Sequence, residues 1–458
     1  MVDKATELLS FTNFNRVTAS IGGFSLLFCL ISYFLRDRLY ISEPLPSVIF
    51  GLIANKSNWA KFEEWGPERE ISLNLTRIVL GIQLAVTGVR LPAKYLFTAW
   101  QSIAVLLVPV MTIMWIVSAL IVYLVVPNFS FLDGLLIGAC VTPTDPILCG
   151  SIVHGRFADK YVPKRVRDVI LAEAGANDGF GYPFLFLALC IYRYSGTEIA
   201  KQWIVYTILY EIMLGIAYGA VAGLLAQRAM KYSRHYNLVD TDGYFFFVFA
   251  MALFIVGTGG LLGIDDLFAC FVAGCVLNWN NEYQEATASD SLQPVMELVL
   301  NLGVFTWIGV TMPWAEFNNV MTVWHFIVIG IAILIFRRAP GLLGFYWAIP
   351  EIESFGEALF TGYFGPIAVG ALFYLQILLE ELEGFGLSES DWLYKVASPV
   401  VYFIILSSIV VHGLSITVLG FALNIKEKLD ARPREERSYH SKSSEEEVST
   451  DVAEEISV

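Results

Sequence analysis

The sequence predicts an all-α polytopic membrane protein, and three observations carry that reading. Apolar residues make up 56% of the 458 residues, charged residues only 16%, and mean hydropathy is +0.62. Soluble domains hold about 45–50% apolar and about 25% charged residues, and much of their outside must be wet. The apolar residues also fall into long runs, among them Val17–Leu35, Ser102–Val126 and Ala397–Leu423. Each comes close to or passes the ~20 residues needed to cross ~30 Å of hydrocarbon. Such runs recur to the far end of the chain, which excludes a signal peptide ahead of a soluble domain.

About thirteen hydrophobic segments can be read in order, near 15–35, 45–55, 72–90, 96–126, 132–153, 167–192, 203–227, 243–261, 264–279, 294–312, 321–344, 357–380 and 396–423. Loop charge orients them. With the N-terminus outside and the C-terminus cytoplasmic, Lys and Arg favour the inner loops (Arg36, Arg90, Lys164, Arg165, Arg234 and others) roughly two to one. The sequons at Asn55 and Asn128 then face outward. Residues 424–458 hold ten acidic and six basic residues, −4 of the formal charge of −14, in an acidic, serine-rich, aperiodic stretch expected to be a disordered cytoplasmic tail. The six cysteines lie in apolar runs without a CxxC pair, so neither a disulfide framework nor a metal site is expected.

Charges at membrane depth are the informative residues, because each is costly unless paired or hydrated. In the fifth segment, Pro143 and Pro146 flank Asp145 and should break the helix near its middle. Thr142, Thr144 and freed carbonyls then offer oxygens to a hard cation, and Asp145 balances the positive ends of helix dipoles. The plainer alternative is a proline kink with a chance carboxylate. In the sixth segment, Glu173 and Asn177 share a helix face and Asp178 is next in the chain. A carboxyl in a low dielectric holds its proton tightly and can exchange it for a cation; the alternative is a polar cluster that glues helices together. Arg337 and Arg338 end the eleventh segment. Arg338 is read as the inward partner of Glu173, with a positive-inside anchor expected for at least one of the two. Gly362, Gly365 and Pro366 interrupt the twelfth segment. Paired interruptions in two halves of a chain point to an inverted-repeat transporter with its site at the midplane.

Thr142–Pro146, the Glu173, Asn177 and Asp178 cluster, Glu297 with Asn301, Phe305 and Gly309, Arg337–Pro340 and Gly365–Pro366 together resemble the sodium/proton antiporters of the cation/proton antiporter superfamily. The likeness is to their fungal plasma-membrane branch, which extrudes sodium and lithium. The resemblance implies thirteen helices in a homodimer, with segments 5 and 12 crossing as broken helices. It implies a dimerisation part (about 15–90 and 243–312), a core part (about 96–192 and 321–423) and a linker helix (about 203–227). It makes Asp178 the cation- and proton-binding carboxylate, with Asn177 as the neighbour typical of electroneutral members. Thr144, Asp145 and Glu173 form the shell, and Asp178, Thr144 and Glu173 are the expected ligands of Na⁺ or Li⁺. Ala174 stands where some prokaryotic relatives carry a serine.

The expected activity is alternating-access exchange of cytosolic Na⁺ or Li⁺ for external protons, with both ions competing for Asp178. The partners are membrane lipid and a second copy of the chain, without cofactor or nucleic acid. Asp265 and Asp266 are read either as a lure for cations at the outer vestibule or as first-turn acids of a helix. Glu211, Asp242 and Glu297 are read as structural partners, and His154 and His412 as packed polar groups or pH sensors. Arg77 needs a partner that the sequence does not name. An organellar K⁺/H⁺ exchanger is the nearest alternative and a cation channel the next, although no filter-like loop is visible. An enzyme is disfavoured, because nucleophile-elbow and phosphate-loop motifs are missing.

Overall fold

The structure, a computed structural model, describes the backbone of residues 12–57, 59, 61–153, 156–239, 241–287 and 292–455. Its principal helices in chain order are α1 (Asn13–Tyr33), α2 (Pro44–Ser57), α3 (Glu68–Arg90), α4 (Trp100–Val125), α5 (Phe131–Cys140) and α6 (Pro146–Val153). Next come α7 (Lys164–Gly179), α8 (Tyr182–Arg193), α9 (Thr197–His235), α10 (Thr241–Leu262), α11 (Asp266–Leu277) and α12 (Leu292–Val310). The chain closes with α13 (Val323–Phe336), α14 (Phe355–Tyr363), α15 (Val369–Gly384) and α16 (Trp392–Glu455). No strand occurs among the described residues, and seven helical spans are long and apolar enough to cross a membrane.

Local chemistry sets the boundaries. Ser130 starts α5 through a capping box: its Oγ accepts the Asp133 N–H at 3.2 Å, and Asp133 Oδ2 accepts the Ser130 N–H at 2.8 Å. The helix stops at Cys140, and α6 begins on Pro146, where a missing N–H costs nothing. Between α14 and α15 the chain is likewise non-helical over Phe364–Ala368.

Two segments read as continuous are divided. The sixth becomes α7 and α8, because Pro183 offers no N–H to continue the helix beyond Gly179. The eleventh ends at Phe336 and resumes over Ala339–Phe345 with Pro340 in its first turn. Beyond residue 423 the backbone stays helical to Glu455, where composition predicts a disordered tail. Lys, Glu, Arg and Ala, which dominate Lys426–Arg437, are helix formers, while Pro433 within that stretch opposes a helix.

The bundle is held by close backbone approach. Helix α3 packs against α11 and α15, α9 against α11, α2 against α12 and α4 against α5. Gly51 of α2 and Gly309 of α12 face each other so tightly that a Cβ on either meets the other's Cα at 2.9 Å. Small residues at such crossings replace the hydrophobic drive that lipid removes. Gly309→Ala is therefore expected to destabilise the protein by about 1–3 kcal/mol in spite of alanine's better helix propensity. Gly22→Ala, which meets nothing within 4 Å, should leave the thermal unfolding midpoint in detergent unchanged or raise it. Equal midpoints for both variants would contradict this packing.

Candidate cation site at the crossing of two broken helices

The two interruptions meet: the Asp145 N–H donates to the Pro366 carbonyl at 2.9 Å. Breaking two helices leaves two sets of N–H groups and two sets of carbonyls unpaired inside the bundle. One carboxylate serves the donors. Asp145 Oδ1 accepts the Leu148 N–H of α6 at 2.8 Å, and its Oδ2 accepts the Val369 N–H of α15 at 2.8 Å. One guanidinium serves the acceptors. Arg337 Nη1 donates to the carbonyls of Thr142 at 2.9 Å and Pro143 at 3.1 Å and also to that of Val141, while its Nη2 donates to that of Gly365. Each charge sits at the dipole ends it complements.

Arg338 lies one residue further and forms a two-point pair with Glu173, Nη1 to Oε1 at 2.5 Å and Nη2 to Oε2 at 2.6 Å. Its Nε donates to the Thr361 carbonyl at 2.9 Å. Arg337 and Arg338 are 2% and 3% exposed, so neither is the headgroup anchor that the sequence suggests for one of them. The broken backbone needs the first and Glu173 the second. Asn177 clamps the α5–α6 break, its Oδ1 accepting the Thr144 N–H at 3.1 Å and its Nδ2 donating to Thr144 Oγ1 at 2.8 Å.

Three expected sources of cation-binding oxygen are otherwise engaged. The Thr142 hydroxyl turns back to donate to the Gly138 carbonyl at 2.7 Å, and the freed carbonyls of the break are held by Arg337. Both oxygens of Glu173 are taken by Arg338, so Glu173 is not an open ligand here. Asp178 differs from all of these. Its side chain is buried and neither carboxylate oxygen has a hydrogen-bond partner. Its backbone carbonyl accepts the Tyr374 hydroxyl at 2.5 Å.

A cavity of about 360 Å³ lies beside the crossing, lined by Pro146 and Ile147 at the start of α6 and by Gln83, Thr87, Glu297 and Asn301. Its mouth carries the pairs Arg90–Glu297 at 2.6 Å and Arg36–Glu43 at 3.6 Å.

Asp265 and Asp266 belong to a second polar cluster. Asp265 caps α11 by accepting the Phe268 N–H at 2.9 Å, and its own N–H donates to the Glu211 carbonyl at 3.1 Å. Asp266 Oδ2 pairs with Arg77 Nε at 2.8 Å, which supplies the partner the sequence left unnamed. The first-turn reading of these acids accounts for the contacts. His412 is a packed group, with Nε2 3.1 Å from the Tyr363 carbonyl and Nδ1 3.1 Å from Ser408 Oγ. Ser408 Oγ in turn accepts the Ile367 N–H at 2.7 Å. His154 and the Asp242 side chain lie outside the described residues.

Tyr374, Ser408 and the double cap by Arg337 escape a sequence reading, because each acts on backbone atoms. Only a polar residue in an apolar run hints at the first two.

Two interrupted helices crossing inside a bundle, with charge gathered at the crossing, form the arrangement of a secondary carrier. Residues 23–422 match the family described as sodium/hydrogen exchanger, transmembrane, and the chain belongs to that family. It is 37% identical to a Na(+)/H(+) antiporter of Saccharomyces cerevisiae over 89% of its own length and 44% of the relative's. It is 35% identical to a Na(+)/H(+) antiporter of Schizosaccharomyces pombe over 87% of this chain and 88% of that one. Against several of these curated relatives the chain spans only about half their length. The fold matches the sodium proton antiporter MjNhaP1 of Methanocaldococcus jannaschii at pH 8 with a TM-score of 0.62 and 17% identity, over 87% of this chain and 99% of that one.

Arg338→Leu should cost about 3–5 kcal/mol, because it leaves Glu173 buried and uncompensated. The double variant Glu173→Leu/Arg338→Leu should recover most of that loss in thermal unfolding. A double variant no more stable than the single one would refute the pairing as the cause.

Proposed function

We propose that this chain exchanges a monovalent cation, Na⁺ or Li⁺, for a proton at Asp178. The observation that carries the reading is a charge balance. At the crossing, the guanidiniums of Arg337 and Arg338 face three buried carboxylates, Asp145, Glu173 and Asp178. Asp145 and Glu173 are satisfied by backbone donors and by Arg338. The remaining negative charge falls on Asp178, whose oxygens have no partner. One proton or one monovalent cation neutralises it, and the two exclude each other. Neutral Asn177 beside it adds no second titrating charge, which favours an electroneutral one-for-one cycle.

The neutralised crossing moves past the rest of the bundle more easily than a bare charge would, because a charge meeting the apolar gate is costly. That suppresses the empty transition and couples the two ions. The moving body is the core part, about 96–192 and 321–423. It works against a dimerisation part of about 15–90 and 243–312, the linker near 203–227 joins them, and two copies pair within the lipid. The cavity mouth carries Arg36 and Arg90, which loop charge assigns to the cytoplasmic side. Sodium thus enters from the cytosol and leaves as external protons enter, at the plasma membrane. The names of the fungal relatives support sodium as the cation.

Proteoliposomes holding the full chain test the reading through cation-triggered proton flux with Na⁺, Li⁺ and K⁺ added in turn. Asp178→Asn, which is isosteric and uncharged, should remove the flux with all three ions while the protein stays folded. Flux retained in that variant would remove Asp178 from the cycle. Cation movement without counter-moving protons would favour a channel, and preference for K⁺ a potassium exchanger.

A further inference from the structure

We propose that Gly370 is a specificity-determining residue: the side chain it lacks leaves the room that the Asp178 carboxylate occupies, and the size of residue 370 limits which cation that carboxylate can accept. The inference rests on Asp178 being the exchange site. Gly370 is the second residue of α15, a position where alanine would serve the helix better. Packing gives a reason for glycine. A Cβ at position 370 would meet Asp178 Oδ1 far inside van der Waals contact, Cγ at 3.0 Å and Oδ2 at 3.2 Å. These three nearest atoms all belong to the Asp178 carboxylate, neither oxygen of which has a partner among the described residues.

The carboxylate cannot retreat from an added methyl by moving its backbone. Tyr374, one turn further along the same helix, donates its hydroxyl to the Asp178 carbonyl at 2.5 Å. The Val369 N–H, on the other side of Gly370, is held by Asp145 at 2.8 Å. The first turn of α15 is thereby fixed against both aspartates. A methyl at position 370 must instead rotate the Asp178 side chain into the volume where a cation and its remaining ligands would lie. A proton occupies no such volume, and a larger cation needs more of it than a smaller one.

Gly370→Ala is therefore expected to raise the apparent KM of the full chain in the order Li⁺ least, then Na⁺, then K⁺. The Li⁺ over Na⁺ ratio of kcat/KM should rise roughly tenfold, the scale on which a packed pocket reads one methyl group. An unchanged ratio and KM in a folded Gly370→Ala protein would overturn the inference. Asp178→Ala separates this outcome from failure of the exchange reading: flux persisting in Asp178→Ala sinks that reading itself, whatever the alanine at 370 does. A stability comparison tests the contact without transport. Gly370→Ala should lower the thermal unfolding midpoint in the wild-type background and not in Asp178→Ala, where the carboxylate is gone. Equal destabilisation in both backgrounds would overturn the contact. Should Gly370→Ala alone fail to fold, a folded Gly370→Ala/Asp178→Ala chain supports the contact and an unfolded one overturns it.

Discussion

A helix broken inside a membrane leaves backbone donors and acceptors with no water to bond, and every feature of this site depends on how that deficit is met. Here two breaks share one solution: Asp145 serves the N–H ends of α6 and α15, and Arg337 serves the carbonyls preceding both. Each is a full charge set against partial charges of opposite sign. Asn177 and Ser408 complete the arrangement at Thr144 and at the Ile367 N–H. Arg337 is thereby committed to backbone, and only Arg338 remains to face Glu173.

The consequence is an unequal count of charges in a low dielectric. A buried carboxylate without a partner is expensive as structure, and Asp178 is held in that condition by its surroundings. Tyr374 pins its backbone, and Asn177 beside it is occupied with Thr144. Asn177 and Arg337, the neighbouring groups able to donate to it, are spent on the breaks. The cavity lies against Pro146 and Ile147, the residues that follow the capping aspartate in the chain. The pairs and caps are satisfied, and one buried carboxylate, Asp178, is left without a hydrogen-bond partner.

Much of this was legible in the sequence. Hydropathy located the helices, because lipid demands long apolar runs, and paired prolines and glycines located the breaks. Asp145 as a dipole partner and Arg338 as the mate of Glu173 follow from the cost of burying charge. The illegible part depends on contacts between distant residues. Arg77 and Asp266 are 189 positions apart, and no spacing rule joins them. Arg337 looks like a headgroup anchor because it ends an apolar run, and its bonds go to carbonyls, which carry no residue-type signal. Thr142 looks like a ligand by type and is instead bonded within its own helix. The importance of Gly370 lies in an atom it lacks, which composition cannot reveal.

The central claim, that a cation and a proton compete for Asp178, is tested most directly by proton release on cation binding. Na⁺ or Li⁺ is added to the purified chain in weakly buffered detergent solution near neutral pH, and the protons displaced are counted with a pH indicator. The account predicts close to one proton per bound cation in the wild type, and neither binding nor release in Asp178→Asn. Tight cation binding without proton release, or release that survives the substitution, would contradict it.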